Sequence, residues 1–289
     1  MVNIYADDTQ LYVSFNPKSE EDIAAAKLRM TQCIAEIRSW MLANKLKLND
    51  SKTELFLIAS SKHANSLSHL DFKLEIGGSV IVPSDTVKNV GIIFDDSLSM
   101  KSHVNSLCRS INFHLRNLSR IRPFIDRSTC AHAVRSLILS RLDNGNSLLG
   151  GLSVTDTQRL QKLQNRAARL IYQVSKRTSA TPLIRELHWL PVQQRIEFKV
   201  LVHVYNCVNG SSPINLQDLL NLYNSGRQGL RSSKDLTRLA IPVTKRSFGD
   251  RSFAVLGPRL WNKLPTTLRA ASNVQCFKKL LKTYLFPQG

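Results

Sequence analysis

The sequence predicts an α+β protein: a small mixed part followed by a longer, mainly helical one. Three observations lead there. Within residues 1–94, apolar runs of strand length alternate with turn residues around one helical stripe. After residue 97, apolar residues recur mostly at steps of three and four. Charge divides at nearly the same place. Residues 1–100 carry 10 Lys and Arg against 13 Asp and Glu, a net of −3, whereas residues 101–289 carry 30 against 8, a net of +22. A chain of 289 residues with 43% apolar content has room and core for two ordinary domains, placed at 1–96 and 97–289.

The first part opens with two β-like runs, Val2–Ile4 and Leu11–Phe15, around Ala6-Asp7-Asp8-Thr9. They read as a hairpin with acids at its tip. Ser19 followed by Glu20, Glu21 and Asp22 signals a helix start, a capping hydroxyl ahead of acids in the first turn. Ile23, Ala26, Met30, Ile34, Ile37 and Met41 then fall on one helical face. Asn44-Lys45 ends the helix. Strands are expected at 46–48, 54–59, 72–76, 80–82 and 87–94, with Gly77-Gly78 as a hairpin turn and Ser60 to His69 as a polar loop. Asp95-Asp96, before Ser97-Leu98-Ser99, reads as a helix-start pair.

The second part begins with the stripe Met100, Val104, Leu107, Ile111, Leu115 and Leu118, followed by helical patterns near 127–142, 156–174 and 192–208. In the third of these four helices, Leu160, Leu163, Ala167 and Leu170 form the core stripe. Arg159, Lys162, Arg166 and Arg169 run beside it, one residue earlier, and one residue is about 100° of rotation. The helix therefore packs on one side and presents a row of cations on the next. Gly226 to Ser233 reads as a basic loop, Leu239–Val243 as β-like, and Phe277 to Leu285 as a basic amphipathic end.

Composition narrows the function classes. A net charge of +19, concentrated in one region, points to a polyanionic partner such as RNA or DNA. No run of about 20 apolar residues occurs, so no segment is expected to span a membrane. The amino-terminus lacks the basic-then-apolar pattern of a secretory signal. Five scattered cysteines without a CxxC pair fit neither a disulfide framework nor a zinc site, and suggest a reducing, intracellular setting, nucleus or cytoplasm. Cys130-x-His132 has no second ligand pair and reads as two helix residues.

Two adjacent carboxylates at a hairpin tip repel each other unless a cation sits there. Such hard oxygen ligands suit magnesium, which also takes phosphate oxygens, and paired magnesium ions serve phosphoryl transfer. The same dipeptide fits an ordinary polar turn. Context distinguishes the two. Tyr5-Ala6-Asp7-Asp8-Thr9-Gln10-Leu11-Tyr12 is followed by Trp40-Met41-Leu42-Ala43-Asn44-Lys45 and on to Lys52-Thr53-Glu54, then by Val90-Gly91-Ile92-Ile93-Phe94-Asp95 and His103. Later come His188-Trp189-Leu190-Pro191-Val192 with Arg195-Ile196, and Gly257-Pro258-Arg259-Leu260-Trp261-Asn262-Lys263-Leu264-Pro265. This order resembles the reverse transcriptase of non-LTR retrotransposons, the jockey-like LINE elements, over nearly the whole chain.

The resemblance implies a partial polymerase palm (β-hairpin, helix, small antiparallel sheet) followed by a helical thumb and carboxy-terminal region. It implies Asp7 as a principal metal ligand, Asp8 as a weaker second carboxylate, and Tyr5 beneath the growing end. Lys52, with Lys47 as the alternative, would help the leaving pyrophosphate, although a solvated lysine beside a strand explains either equally well. The Gly77-Gly78 hairpin would steady the primer. Partners would be an RNA template with a DNA primer, or the RNA–DNA duplex. In that family the other metal-binding aspartate and the nucleotide pocket precede the Tyr-x-Asp-Asp hairpin, and only four residues precede Tyr5 here. The expectation is a truncated RNA-directed DNA polymerase, inactive alone, whose Mg²⁺ (or Mn²⁺) site needs the missing palm strand. A sequence-independent RNA- or DNA-binding remnant is the alternative function, and a helical protein-interaction scaffold is a third. Primer extension on an RNA template with Mg²⁺ or Mn²⁺ is expected to yield no incorporation. Incorporation abolished by Asp7→Ala would overturn that expectation.

Overall fold

The computed structural model describes residues 2–5, 8–59, 72–223, 237–244 and 247–286. Mixed helix and small antiparallel sheets make it an α+β protein. It divides into two compact units, Met1–Asn89 with Ile93–Ser99, and Val90–Ile92 with Met100–Gly289. The expected loops at Ser60 to His69 and Gly226 to Ser233 lie outside the described residues.

In the first unit, β1 (Val2–Tyr5) pairs antiparallel with β2 (Asp8–Leu11), in register from Val2 opposite Leu11 to Tyr5 opposite Asp8. The second strand stops at Leu11 rather than Phe15. Phe15 instead stacks on Phe72 at 5.2 Å between ring centroids. Helix α1 (Glu20–Ala43) starts where the Ser19 hydroxyl accepts the Asp22 amide, at 3.2 Å. It ends in a Schellman turn: Lys45 is left-handed at φ 60°, and the Leu46 amide reaches the Met41 carbonyl at 2.8 Å. Ile23, Met30 and Ile34 pack against Leu55, Phe72, Leu74 and Ile76, the core of this unit.

Strands β3 (Leu74–Ile76) and β4 (Ser79–Ile81) pair antiparallel around Gly77 and Gly78, at φ +60° and +81°. Two consecutive positive φ values define the hairpin turn that favours glycine. Gly77 is also sterically constrained. A Cβ there would lie 2.6 Å from Arg38 Nη2, within the Arg38–Asp50 ion pair.

Two strand expectations fail. Residues 46–48 are not a strand, because the Schellman turn sends the chain into a single 3-10 turn, Asp50–Lys52. Residues 54–59 make only one bridge, Leu55 with Pro83, and proline has no amide to extend a ladder. The single strand expected at 87–94 is two, β5 (Thr86–Asn89) and β6 (Ile92–Asp95), turned at Val90 (φ 45°) and Gly91 (φ 82°). The described residues thus hold three two-stranded sheets, where a hairpin and one small antiparallel sheet were expected. Asp95 accepts the Ser97 hydroxyl at 2.9 Å and the Ser99 amide at 2.6 Å, which shapes the turn ahead of the next helix without capping that helix itself.

The second unit is helical. Helix α2 (Lys101–Ile121) buries Val104, Leu107, Ile111, Leu115 and Leu118. Helix α3 (Arg127–Val134) runs through a π turn, Arg135–Leu139, into Ser140–Asp143. Helix α4 (Val154–Tyr172) is capped by Ser153 and buries Leu160, Leu163, Ala167 and Ile171. Helices α5 (Thr181–Glu186), α6 (Val192–Val208), α7 (Phe253–Trp261) and α8 (Val274–Leu285) follow.

Polar side chains fix these helices to one another. Just past α2, the buried Arg122 guanidinium donates to the carbonyls of Leu170 (3.0 Å), Ile171 (2.7 Å) and Ile125 (2.6 Å). Two of these are last-turn carbonyls of α4, at the negative end of the helix dipole; Leu170 O also accepts the Gln173 amide at 3.3 Å, and Ile171 O is past the reach of the helix's own amides. The fully buried Gln164 donates to the Leu190 carbonyl at 2.9 Å, and Gln161 accepts the Val192 amide at 2.8 Å. The segment His188 to Val192 is thereby fastened to α4, with Trp189 buried.

Trp261, Tyr205 and Phe277 form the aromatic centre between α6, α7 and α8, with Tyr205 and Phe277 stacked at 4.4 Å. Trp261 Nε1 donates to the Thr237 carbonyl, and Asn262 exchanges two hydrogen bonds with the Leu239 backbone. The β-like run at 239–243 is reduced to one bridge, Leu222 with Leu239, flanked by Tyr223 N–H to Arg238 O and Ala240 N–H to Asn221 O.

Removing Arg122 takes its donors from three carbonyls and leaves that of Ile171 without a partner among the described residues. Arg122→Met is expected to cost about 3 kcal/mol, read by urea denaturation with tryptophan fluorescence. Arg120→Met, at an exposed position, is expected to stay within about 0.5 kcal/mol of wild type. Equal effects of the two changes would remove the clamp's assigned role.

Candidate nucleic-acid interface

The predicted cation row on α4 is partly realised, and it meets a second row that was not foreseen. Between α2 and α4 lies a groove of about 840 Å³, lined by Asn105, Cys108, Arg109, Asn112, Arg116, Arg159 and Arg166. Four of the seven lining residues are arginines, and none is acidic.

Arg159 and Arg166 are seven residues apart, about 20° of rotation, so both face the groove. Arg169 lies about 80° from Arg159 and donates instead to the Thr178 carbonyl, at 2.7 Å. Lys162 is exposed but does not line the groove. On α2, Asn105, Arg109, Asn112 and Arg116 follow at steps of four, three and four, a single polar face about 100° round from the apolar stripe. That spacing was visible in the sequence. Its meaning needed the partner helix.

Hydrogen bonds join the two walls. Arg159 Nη2 donates to Asn105 Oδ1 at 2.7 Å, and Arg166 Nη1 donates to Asn112 Oδ1. Asn112 is itself held by its amide bond to the Cys108 carbonyl, at 2.8 Å. Both contacts link residue i to residue i + 54, so α2 and α4 run side by side in the same direction. Arg159 also meets the buried carboxylate of Asp156 at 3.0 Å. The Arg109 and Arg116 guanidinium groups have no hydrogen-bond or ion-pair partner among the described residues. Three of the four guanidinium charges in the groove are therefore uncompensated by a neighbouring acid.

Of the residues expected to do polymerase chemistry, Tyr5 stands opposite Asp8 in the β1–β2 register. Asp7 lies outside the described residues. Tyr5 is described as a strand position only. Asp8 is exposed at the start of β2, and Lys52 is exposed in the turn Asp50–Lys52. No hydrogen bond, ion pair or shared cavity joins Asp8 to Lys52 among the described residues. Nor do the described residues contain a group of three or more His, Cys, Asp or Glu side chains able to hold a metal ion. Among the described residues the hairpin tip offers the Asp8 carboxylate, and no step through a metal is derived from it.

No protein-family model, curated protein or solved structure matches the chain. No helix among the described residues is long and apolar enough to cross a membrane.

Cys108, on the groove floor, reports on its surroundings. Burial pushes its thiol up, the Arg159 cation pulls it down, and Asp156 pushes it up. Its alkylation by iodoacetamide is expected to have a pH–rate midpoint above that of a free thiol. Arg159→Gln should move the midpoint higher, because it removes the cation that favours the thiolate. Peptide mapping by mass spectrometry resolves this site from the other cysteines. A midpoint unchanged by Arg159→Gln would contradict the geometry.

Proposed function

We propose that this chain is a nucleic-acid-handling part of a retrotransposon-type reverse transcriptase, whose second unit grips a duplex backbone without reading its sequence. The groove between α2 and α4 carries the reading. Four guanidinium groups converge there with no acid in the lining, and guanidinium is the side chain best matched to phosphate. The net charge of +22 on residues 101–289 adds a long-range field of the same sign. The motif order from Tyr5 to Pro265 supports the family context. On it, the first unit corresponds to part of the palm and the second to the thumb and the region beyond. Asp7 and Asp8 keep their proposed place as carboxylates of the palm hairpin, and duplex binding does not depend on them.

Phosphate contacts make affinity fall with salt, by about 0.9 in logarithmic slope per phosphate on duplex DNA. Four contacts predict a loss of roughly a hundredfold between 50 and 200 mM salt. Fluorescence anisotropy with DNA and RNA–DNA duplexes of unrelated sequence should give similar affinities and this steep slope. Reversing Arg109, Arg116, Arg159 and Arg166 to Glu should abolish both. Affinity that ignores salt and these substitutions would sink the proposal. Partner binding that resists nuclease would favour a protein scaffold instead.

A further inference from the structure

We infer that the groove is a two-rung seat for a single phosphodiester strand of a duplex, with Arg109 and Arg116 as untethered phosphate ligands, Arg159 and Arg166 as tethered ones, and Asn105 and Asn112 as positioning residues. The inference rests on the proposed nucleic-acid reading and specifies how the groove would take its ligand.

The dimensions select one strand. From Asn105 to Arg116 the groove runs about 16 Å along α2. A volume of 840 Å³ over that length is a cross-section of roughly 50 Å². That admits one sugar–phosphate strand and excludes a whole duplex. The chemistry selects the backbone. Among the described residues the lining contains no aromatic ring, so unpaired bases would gain no stacking there. A duplex presents its phosphates outward at high density and asks nothing of the bases.

The hydrogen bonds divide the labour. Each rung pairs an α4 arginine with an α2 asparagine: Arg159 with Asn105, and Arg166 with Asn112. The rungs repeat after seven residues, about 10.5 Å. A neutral amide holds a guanidinium in place without cancelling its charge, which a carboxylate would do. The α2 arginines, Arg109 and Arg116, stand one turn beyond each asparagine and have no partner among the described residues. They remain available to a ligand, while the tethered pair keeps the opposite wall ordered and positive. Ordering a long side chain beforehand removes part of the entropic cost of immobilising it on binding.

The test separates charge from position, using the full chain and a 20-base-pair DNA duplex in a salt series. Arg109→Gln with Arg116→Gln should lower the salt slope by about two. Asn105→Ala with Asn112→Ala leaves every charge in place. It should keep the slope while weakening affinity about tenfold. Asn105→Asp with Asn112→Asp keeps an acceptor for each guanidinium but neutralises it, so the slope should fall. In the wild-type chain, bound duplex should slow Cys108 alkylation. It should also bind more tightly than an unstructured single strand of the same length.

The seat is overturned if the alanine pair leaves affinity unchanged, if the aspartate pair leaves the slope unchanged, or if duplex fails to protect Cys108. Tighter binding of the single strand counts against it equally. These failures differ from failure of the proposed function, in which the wild-type chain itself would show no salt-dependent binding.

Discussion

The Arg122 guanidinium sets the register on which the helical unit depends. It projects from the turn after α2 and binds the last carbonyls of α4, so it fixes how far one helix can slide along the other. A shift of one residue would rotate the facing side chains by about 100° and separate Asn105 from Arg159 and Asn112 from Arg166. The groove exists because the two helices are parallel and held at this offset. Parallel neighbours cannot be joined by a short loop. The chain must return through α3 and the π turn that follows, and that return packs on both helices. A buried arginine is an expensive way to make such a joint unless its nitrogens find acceptors. Here each of the three nitrogens meets a carbonyl, two of them at the end of α4.

Much of this could be read from the residues. The apolar stripe from Val104 to Leu118, the Ser19 cap and the Gly77-Gly78 turn each rest on local chemistry, and each stands where the sequence put it. The strands at 46–48 and 54–59 failed because apolar composition does not guarantee a pairing partner, and Pro83 offers none beyond a single bridge. The turn at Val90-Gly91 was hidden by a β-branched residue at positive φ, a placement that sequence preference argues against. At the site, the α4 row was legible in outline, and two of its four cations, Arg159 and Arg166, line the groove. Three- and four-residue steps drift around a helix, so Arg169 left the row that Arg159 and Arg166 share. Arg109 and Arg116 were missed because a polar stripe has no assigned meaning until a neighbour faces it.

The motifs that suggested a polymerase relative turn out to be held by identifiable interactions. His188 to Val192 is fastened to α4 through Gln161 and Gln164, and Trp261-Asn262 anchors the segment near Leu239. Gly257 lies so close to α6 that a Cβ would come within 2.9 Å of Val204 Cγ2. These residue choices are accounted for by packing and backbone satisfaction. They maintain the framework that presents the arginine groove.

The bridge between Leu222 and Leu239 has a separate consequence for how the chain tolerates change in length. Asn221, Tyr223, Arg238 and Ala240 exchange backbone bonds around it, and Asn262 and Trp261 tie the far side down. The bridge and Asn262 therefore hold Tyr223 and Leu239 as fixed ends through bonds between the described residues. A change of chain length between fixed ends has a shallow entropic cost when the segment is flexible, about 0.6 kcal/mol for each doubling.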